Sequence, residues 1–383
     1  DRFGVKPLFV YRRGDDLTIC SEPSLLRDLF GLKLSEKALE EHYFFRAPLF
    51  SGSFVEGVEV VEPGTCWVRG SYFSLRSEFS DRYEDLPELL EELEQILKKS
   101  IQTRLVSDAP VGLLYSGGID SNIISSVIEE KIPRFTGGMH GDSDLIFAAS
   151  MQKEGYNVHL VDINQIQFKQ RLKQMVELRG EPLSVPNEVV LSFLGEAWAK
   201  SGGKVLLSGE GADEFFGGYD RVFRWAANIK DFNLEEFLAY YSYGNKSEIP
   251  EWLLSKLKEF FNRLEDLCPF EKVRYFFIKK HLPTLFRRLD FALMFAGIEG
   301  REPLATYDLL QLALRFSPNS LVNQEVGKIP LRIFAERRFG AEFAFAKKVG
   351  FPIDLVKIYS GRPARDRFEN YDFWHRENIR ILG

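Results

Sequence analysis

The sequence predicts an α/β fold: a doubly wound parallel sheet with a mainly helical C-terminal part, preceded by an incomplete β-rich N-terminal domain. Three observations predict it. Val111-Gly112-Leu113-Leu114-Tyr115-Ser116-Gly117-Gly118-Ile119-Asp120-Ser121 is an apolar run broken by two glycines, and Ile123, Ile124, Val127 and Ile128 then recur at helical spacing. From there to Ser208, apolar strands alternate with helical runs, the pattern of parallel strands joined by crossover helices. The first 70 residues instead carry short apolar runs around turn formers.

In order, Leu8-Phe9-Val10-Tyr11 and Leu17-Thr18-Ile19-Cys20 read as strands around the turn Arg12 to Asp16. A helical stretch follows around Glu36 to Phe45. Val58-Glu59-Val60-Val61 and Cys66-Trp67-Val68 flank another turn, Glu62-Pro63-Gly64-Thr65. Residues 71–85 are polar and aperiodic, as in a linker, so the expected division is 1–70, 71–85 and 86–383. A helix should start near Asp85, with Pro87 in its first turn and one apolar stripe of Leu86, Leu89, Leu90, Leu93, Ile96, Leu97 and Ile101. Past the glycine turn, Phe135-Thr136 ends a short strand with Gly137-Gly138 behind it, and Asp142 opens a helix. Val158 to Val161 is a strand, about Asn164 to Arg179 and about Glu188 to Lys200 are helices, and Lys204 to Ser208 is a strand. From about residue 221 the chain reads as helical.

The composition narrows the function. A chain of 383 residues that is 45% apolar can fill a sizeable core, and most of its 34 Phe belong there. A net charge of −6 argues against broad nucleic-acid binding, and the clusters Lys279-Lys280 and Arg287-Arg288 read as solvated helix faces. Cys20, Cys66 and Cys268 are scattered and form no metal-like pair; with five His, a zinc site is not expected and a reducing cytoplasm fits. No signal peptide and no bilayer-length apolar run is visible, so no membrane partner is expected.

In a strand, glycine turn and helix, backbone N–H groups and the positive helix end converge on one point, which suits phosphate. Asp120 would repel a phosphate unless a divalent cation stood between them. Ser116 to Ser121 resembles the pyrophosphate-binding loop of ATP pyrophosphatases, which cleave ATP between its α and β phosphates; it is no Walker A loop, since no Gly-Lys-Ser/Thr follows. Ser208-Gly209-Glu210-Gly211-Ala212-Asp213-Glu214 follows its own strand in the same way. Three acids in so short a turn need a cation or a reacting group to answer them. In an open α/β sheet both turns lie at carboxyl ends of strands, where ligands bind. Asp120 and Asp213 could share magnesium, with Glu210 as a base.

With these residues the chain resembles the glutamine-hydrolysing asparagine synthetases over most of its length. Asp1-Arg2-Phe3-Gly4-Val5-Lys6-Pro7-Leu8, Ser21-Glu22 and Pro63-Gly64 look like the close of that family's glutaminase domain. Ser107 to Gly112, Glu181-Pro182, Ser208 to Glu214 and Phe216-Gly217-Gly218-Tyr219 match its synthetase part. So do Asp290, Met294, Glu299, Arg301 and Pro303, and then Lys348, Gly350 and Phe351. The resemblance implies adenylation of a carboxylate, aspartate in the name-giving case, followed by attack of ammonia. It implies ATP contacts at Leu114, Ser116, Gly117, Gly118, Asp120, Ser121, Ser208 and Gly209, and Mg²⁺ at Asp120 and Asp213. Glu210 would be the base of the ammonia step and Lys348 the stabiliser at the α-phosphate. Read from its strand alone, Leu114 is a core residue.

Three departures bear on the acceptor. Pro303-Leu304-Ala305-Thr306 stands where the family has Pro-Phe-Leu-Asp, Ala346 stands where it has arginine, and the tail after Phe351 is short. The family's nucleophilic cysteine and glutamine pocket lie upstream of Asp1, and the chain opens on aspartate, so it is expected to be processed or a fragment. Alone it should use free ammonia, with the glutaminase segment in the same natural polypeptide and a homodimer as a further expectation. Cys20 and Cys66 read as buried structural thiols. Amidation of another carboxylate, tRNA modification and a non-catalytic nucleotide-binding subunit are the alternatives. The acidic balance and the second turn disfavour tRNA, and intact Asp120, Glu210, Asp213 and Lys348 disfavour the subunit.

Overall fold

The computed structural model describes residues 1–66, 69–80, 83–128, 132–346 and 353–383. Near the N-terminus, β1 (Phe9–Arg13) and β2 (Asp16–Cys20) form the expected hairpin, turned at Gly14 in the left-handed region. β1 also pairs antiparallel with β3 (Val58–Val60). Helix α1 (Pro23–Phe30), absent from the sequence reading, packs Leu26 onto this sheet. Helix α2 (Glu36–Phe45) starts where Ser35 accepts from the Ala38 N–H. The small core of Phe9, Leu26, Val55 and Val58 is completed by Phe291 from the helix Leu282–Met294, far along the chain. Strands of three to five residues make a small sheet, and this later helix supplies one wall of its core.

After the Glu62-to-Thr65 turn, β4 (Thr65–Cys66) pairs with β5 (Gly70–Ser71) and not with β3; Trp67 and Val68, part of the expected strand, lie outside the described residues. Inside the expected linker, Leu75–Glu78 forms a one-turn helix, α3, and Leu75 and Phe79 are buried in the main core. Helix α4 (Leu86–Leu105) presents the expected stripe: Leu89, Leu93, Leu97 and Ile101 are fully buried. Asp85 holds the N-cap position, but its side chain makes no capping bond.

The central sheet has five parallel strands. β6 (Val111–Leu114), β7 (Arg134–Met139), β8 (Val158–Ile163), β9 (Val205–Leu207) and β10 (Glu299–Arg301) lie in the order β10-β9-β6-β7-β8. Helices α5 (Ile119–Ile128), α6 (Ser143–Lys153), α7 (Gln165–Arg179) and α8 (Asn187–Lys200) connect the first four strands. The chain steps outward from β6 to β8 and then returns to β9 on the other side of β6. That reversal is the crevice where such sheets take ligands. Two details differ from the sequence reading. β7 runs through Gly137 and Gly138 rather than ending before them. A Cβ on Gly137 would lie 2.8 Å from Leu194 of α8, so this glycine permits close packing and does not break the strand. β10 arrives from the helical part and, at three residues, carries no readable pattern.

From Ala212 onward the described residues are mainly helical, with a core dense in Phe: Phe216, Phe223, Phe237, Phe270 and Phe276 are nearly or fully buried. Phe277–His281 forms a wider turn inside one helical run from Pro269 to Met294. Among the described residues no helix is long and apolar enough to cross a membrane.

Candidate active site

The turn after β6 is held from behind. Asn122 Nδ2 donates to the Gly117 and Gly118 carbonyls at 2.8 and 3.0 Å, and the Tyr115 hydroxyl fixes the Asn122 amide oxygen at 2.8 Å. Ser121 Oγ donates to the Gly118 carbonyl at 3.0 Å and lies 3.3 Å from Ser116 Oγ. Gly117 has φ 72°, and a Cβ there would lie 2.4 Å from the Phe147 ring. With the carbonyls tied inward, the first turn of α5 still has N–H groups that no intrahelical carbonyl can satisfy. Free N–H groups at a helix start, on a glycine turn, are an arrangement that suits an anion.

The turn after β9 stands beside it, because Leu113 and Leu207 are in register. A Cβ on Gly209 would lie 2.9 Å from that of Asp120, so only glycine lets the two turns touch. Gly211, at φ 100°, starts the short helix α9 (Ala212–Phe216) against Ala305. The turns close one side of a cavity of about 530 Å³. Leu114, Ser116, Gly117, Gly118, Asp120, Ser121, Ser208, Gly209, Glu210 and Asp213, every described candidate site residue, line it. Lys348 lies outside the described residues. Leu114 is only half-buried, at the cavity wall and not wholly in the core.

The opposite side of the cavity brings cations that the sequence reading missed. Lys328 Nζ, with a side chain 3% exposed, lies 2.8 and 2.7 Å from the two oxygens of Asp120 and 2.7 Å from Asp213 Oδ1. Arg332 donates to the carbonyl of Gly327 at 2.8 Å, of Ala344 at 2.6 Å and of Ala346 at 3.2 Å, tying two segments of this wall together. Arg288 Nη2 lies 2.9 Å from Glu210 Oε1. Burial works against the Arg288 guanidinium, but the charge and hydrogen bond of Glu210 hold it protonated above its ordinary range. The pair Arg287-Arg288 is therefore no solvated helix face: Arg287 is bonded to buried Glu181 at 2.6 Å, Arg288 to Glu210. Nor is Lys279-Lys280 wholly solvated, for Lys279 pairs with Glu62 at 2.8 Å and burial pulls the Lys280 ammonium below its usual range. The one signal that could have found them is that each is a basic residue in an apolar helical run, where an unpaired charge is too costly to keep.

Glu214, the third acid of the second turn, faces away from the cavity. It is fully buried, accepts from the Tyr219 hydroxyl at 2.6 Å, and is pushed up to about 8 by burial, with Asp213 and Glu210 adding to the effect. A carboxyl so placed is neutral below that pH. Thr306, where the family has an acid, caps the helix Tyr307–Arg315 and does not line the cavity. Ala346 is exposed and does line it. Cys20 and Cys66 are half-buried, not buried.

Asp120 and Asp213 suit a hard divalent cation. Their three oxygens converge within 2.8 Å of one positive nitrogen, and an all-oxygen set completed by phosphates is what magnesium takes. Among the described residues no group of three or more His, Cys, Asp or Glu stands ready to hold a metal, so the nucleotide would have to supply the remaining ligands.

A family model described as asparagine synthase matches residues 92–372. Asparagine synthetase [glutamine-hydrolyzing] 1 of Bacillus subtilis is 27% identical over 256 residues, covering 61% of this chain and 38% of that protein. A putative asparagine synthetase [glutamine-hydrolyzing] of Mycobacterium tuberculosis is 29% identical over 255 residues, 61% of this chain and 39% of that protein. A protein named amidase chry2 from Gibberella zeae is 27% identical over 256 residues, 57% of this chain and 37% of that protein. The chain thus spans less than two fifths of each of these relatives in the matched region.

Proposed function

The chain belongs to the asparagine synthase family, and from that premise we propose that it makes an amide from a carboxylate and ammonia at the expense of ATP. The observation that carries the reading is the meeting of two turns, one suited to phosphate and one acidic, on a single cavity with Asp120, Asp213 and Glu210 in its lining. The resemblance supplies the chemistry and the residues supply the roles. Ser116, Gly117, Gly118 and Ser121 hold the β and γ phosphates. Leu114, Ser208 and Gly209 face the nucleoside. A carboxylate oxygen of the acceptor attacks the α-phosphorus, the bond to the β-phosphate breaks, and pyrophosphate leaves. Ammonia then attacks the acyl carbon, AMP departs, and Glu210 takes the surplus proton. Arg288 orients Glu210 toward that step. Magnesium at Asp120 and Asp213 would offset the charge that develops on the departing pyrophosphate. Lys348 would act at the α-phosphate.

Aspartate is the first acceptor to test. A different carboxylate is the second reading, favoured by Ala346, which lines the cavity where the family pattern carries arginine, and by the likeness to a protein named an amidase. Residues 1–70 are proposed as the close of a glutaminase-like domain, 71–85 as its link to the synthetase part, and the cytoplasm as the compartment.

The test is ATP–pyrophosphate exchange over a panel of carboxylates headed by aspartate, followed by amide formation with ammonium chloride. Exchange that depends on one acid is the expected result. Tight nucleotide binding with no exchange for any acid would replace the enzyme with a binding subunit.

A further inference from the structure

Lys328 stands where the two candidate metal ligands point. We infer that Lys328 is a built-in counter-cation of this site: it keeps free divalent metal off Asp120 and Asp213, yields them when a nucleotide brings its own metal, and then becomes a ligand of the nucleotide's phosphates. The inference rests on the nucleotide reading above, but not on the identity of the acceptor.

The chain goes to some length to put this one ammonium here. Lys328 has φ 58° and ψ 34°, and among the described non-glycine residues only Arg46 shares a positive φ. That conformation is unfavourable for a residue with a side chain, and persists only when its surroundings over-determine it. They do. The Gly327 N–H donates to Asp220 Oδ1 at 2.9 Å and its carbonyl accepts from Arg332 Nε at 2.8 Å. A Cβ on Gly327 would lie 2.1 Å from the Gly217 carbonyl oxygen. A Cβ on Gly218 would lie 1.8 Å from Asp213 Oδ1 and 2.1 Å from Lys328 Cε. Two glycines are thus cleared away so that one lysine can reach two carboxylates.

The consequence for metal is electrostatic. Magnesium binds oxygen ligands at about 2.0–2.1 Å, which puts it on the point the ammonium holds. Both cannot stay, and an ammonium 3% exposed cannot leave without a new acceptor. The neighbouring carboxylates are engaged: Asp220 accepts from Gly327 and Glu210 from Arg288. A phosphate oxygen is the acceptor that removes the obstacle. Metal and nucleotide then enter together, with Lys328 moving from carboxylate to phosphate.

The probe is Mn²⁺, followed by water-proton relaxation, which separates Mn²⁺ on the protein from Mn²⁺ on nucleotide in solution. The whole chain should bind none without nucleotide at concentrations up to about 1 mM, and should bind it once α,β-methylene-ATP is added. Lys328→Met should take up Mn²⁺ without nucleotide at least roughly tenfold more tightly than the wild-type chain, and adding Asp120→Asn should remove that binding. Lys328→Arg should exclude Mn²⁺ as the wild type does. Wild-type binding without nucleotide that equals that of Lys328→Met overturns the inference, as does a wild type that takes no Mn²⁺ with the nucleotide present. The wild-type arms stand even if Lys328→Met does not fold. Loss of pyrophosphate exchange with the Mn²⁺ pattern intact would strike the adenylation reading and leave this one in place.

Discussion

The two walls of the cavity are built in different ways. The wall formed by the turns after β6 and β9 takes its polar groups from two contiguous stretches, Ser116 to Ser121 and Ser208 to Asp213. The opposite wall takes Arg288 from the helix Leu282–Met294, and Lys328 and Arg332 from the start of the helix Ile329–Phe339. The first wall is anionic or carries glycine, and its geometry is local. The second is cationic, and two of its groups are defined by partners far away in sequence: Glu210 for Arg288, Asp120 and Asp213 for Lys328. A site can therefore hold half of its chemistry in motifs and the other half in pairings that no motif records.

The largest expected effect tests the first wall. Asp120→Asn and Asp213→Asn should each lower ATP–pyrophosphate exchange by on the order of 10³-fold or more, since a metal at a developing phosphate charge is worth several kcal/mol. Near wild-type exchange in either variant would mean that Lys328 and not a metal is the group that acid serves.

The next effect couples the two walls. Glu210→Gln should slow amide formation by roughly 10²–10⁴-fold, the range of a positioned base, with less effect on adenylate formation. Arg288→Gln should show the same selectivity at a smaller size, about 10–100-fold, because a hydrogen bond to a charged group contributes about 1.5–3 kcal/mol. Rapid-quench measurement of both steps decides. An equal loss in both steps for Glu210→Gln assigns it to the nucleotide, and an unchanged Arg288→Gln removes the link between the walls.

The same contrast explains what could be read from the sequence. The strand, glycine turn and helix at 111–128, the stripe of α4 and the alternation up to β9 were legible because local periodicity dictates them. β10 was not, since three residues carry no period and its place beside β9 is set by the helix that delivers it. Gly137 misled because a glycine needed for closeness to Leu194 looks the same in sequence as one that ends a strand. Ser116 to Ser121 announced a phosphate site, but Arg287-Arg288 passed for surface charge, because only the tertiary fold shows Glu181 and Glu210 across from them.

A smaller effect, on stability, belongs behind the acidic turn. Glu214 is pushed up to about 8 from an ordinary 4.5, chiefly by burial. Its folded form holds the proton more tightly than the unfolded chain, so its contribution is fully present below pH 4.5 and is lost as pH rises through about 8. Glu214→Gln stays neutral throughout. Thermal melts at pH 5, 7 and 9 should show the wild type losing on the order of 1–3 kcal/mol more than the variant across that span. Parallel curves would mean that Glu214 is charged in the folded chain.

The smallest effect lies just outside the cavity, at the departure from the family pattern that the structure explains. Thr306 takes the place of an acid, yet its Oγ1 accepts from the Leu309 N–H at 3.5 Å, and Ser100 Oγ lies 3.4 Å away. Asp and Thr both cap helices well, so the exchange preserves the start of Tyr307–Arg315 whichever is present. Thr306→Ala should then cost about 0.5–2 kcal/mol of stability, the usual loss of an N-cap, toward the low end given the long bond. Thr306→Asp should restore the cap. Neither should alter which carboxylate supports pyrophosphate exchange, because Thr306 does not line the cavity. Ala346→Arg is the contrasting case: it adds a cation to the wall itself, and should change the ranking of acceptors while leaving the melting temperature nearly unmoved. A shift of acceptor preference in Thr306→Asp would extend the site past β10 to the start of that helix. No shift in Ala346→Arg would return acceptor choice to the residues around Glu210 and Arg288.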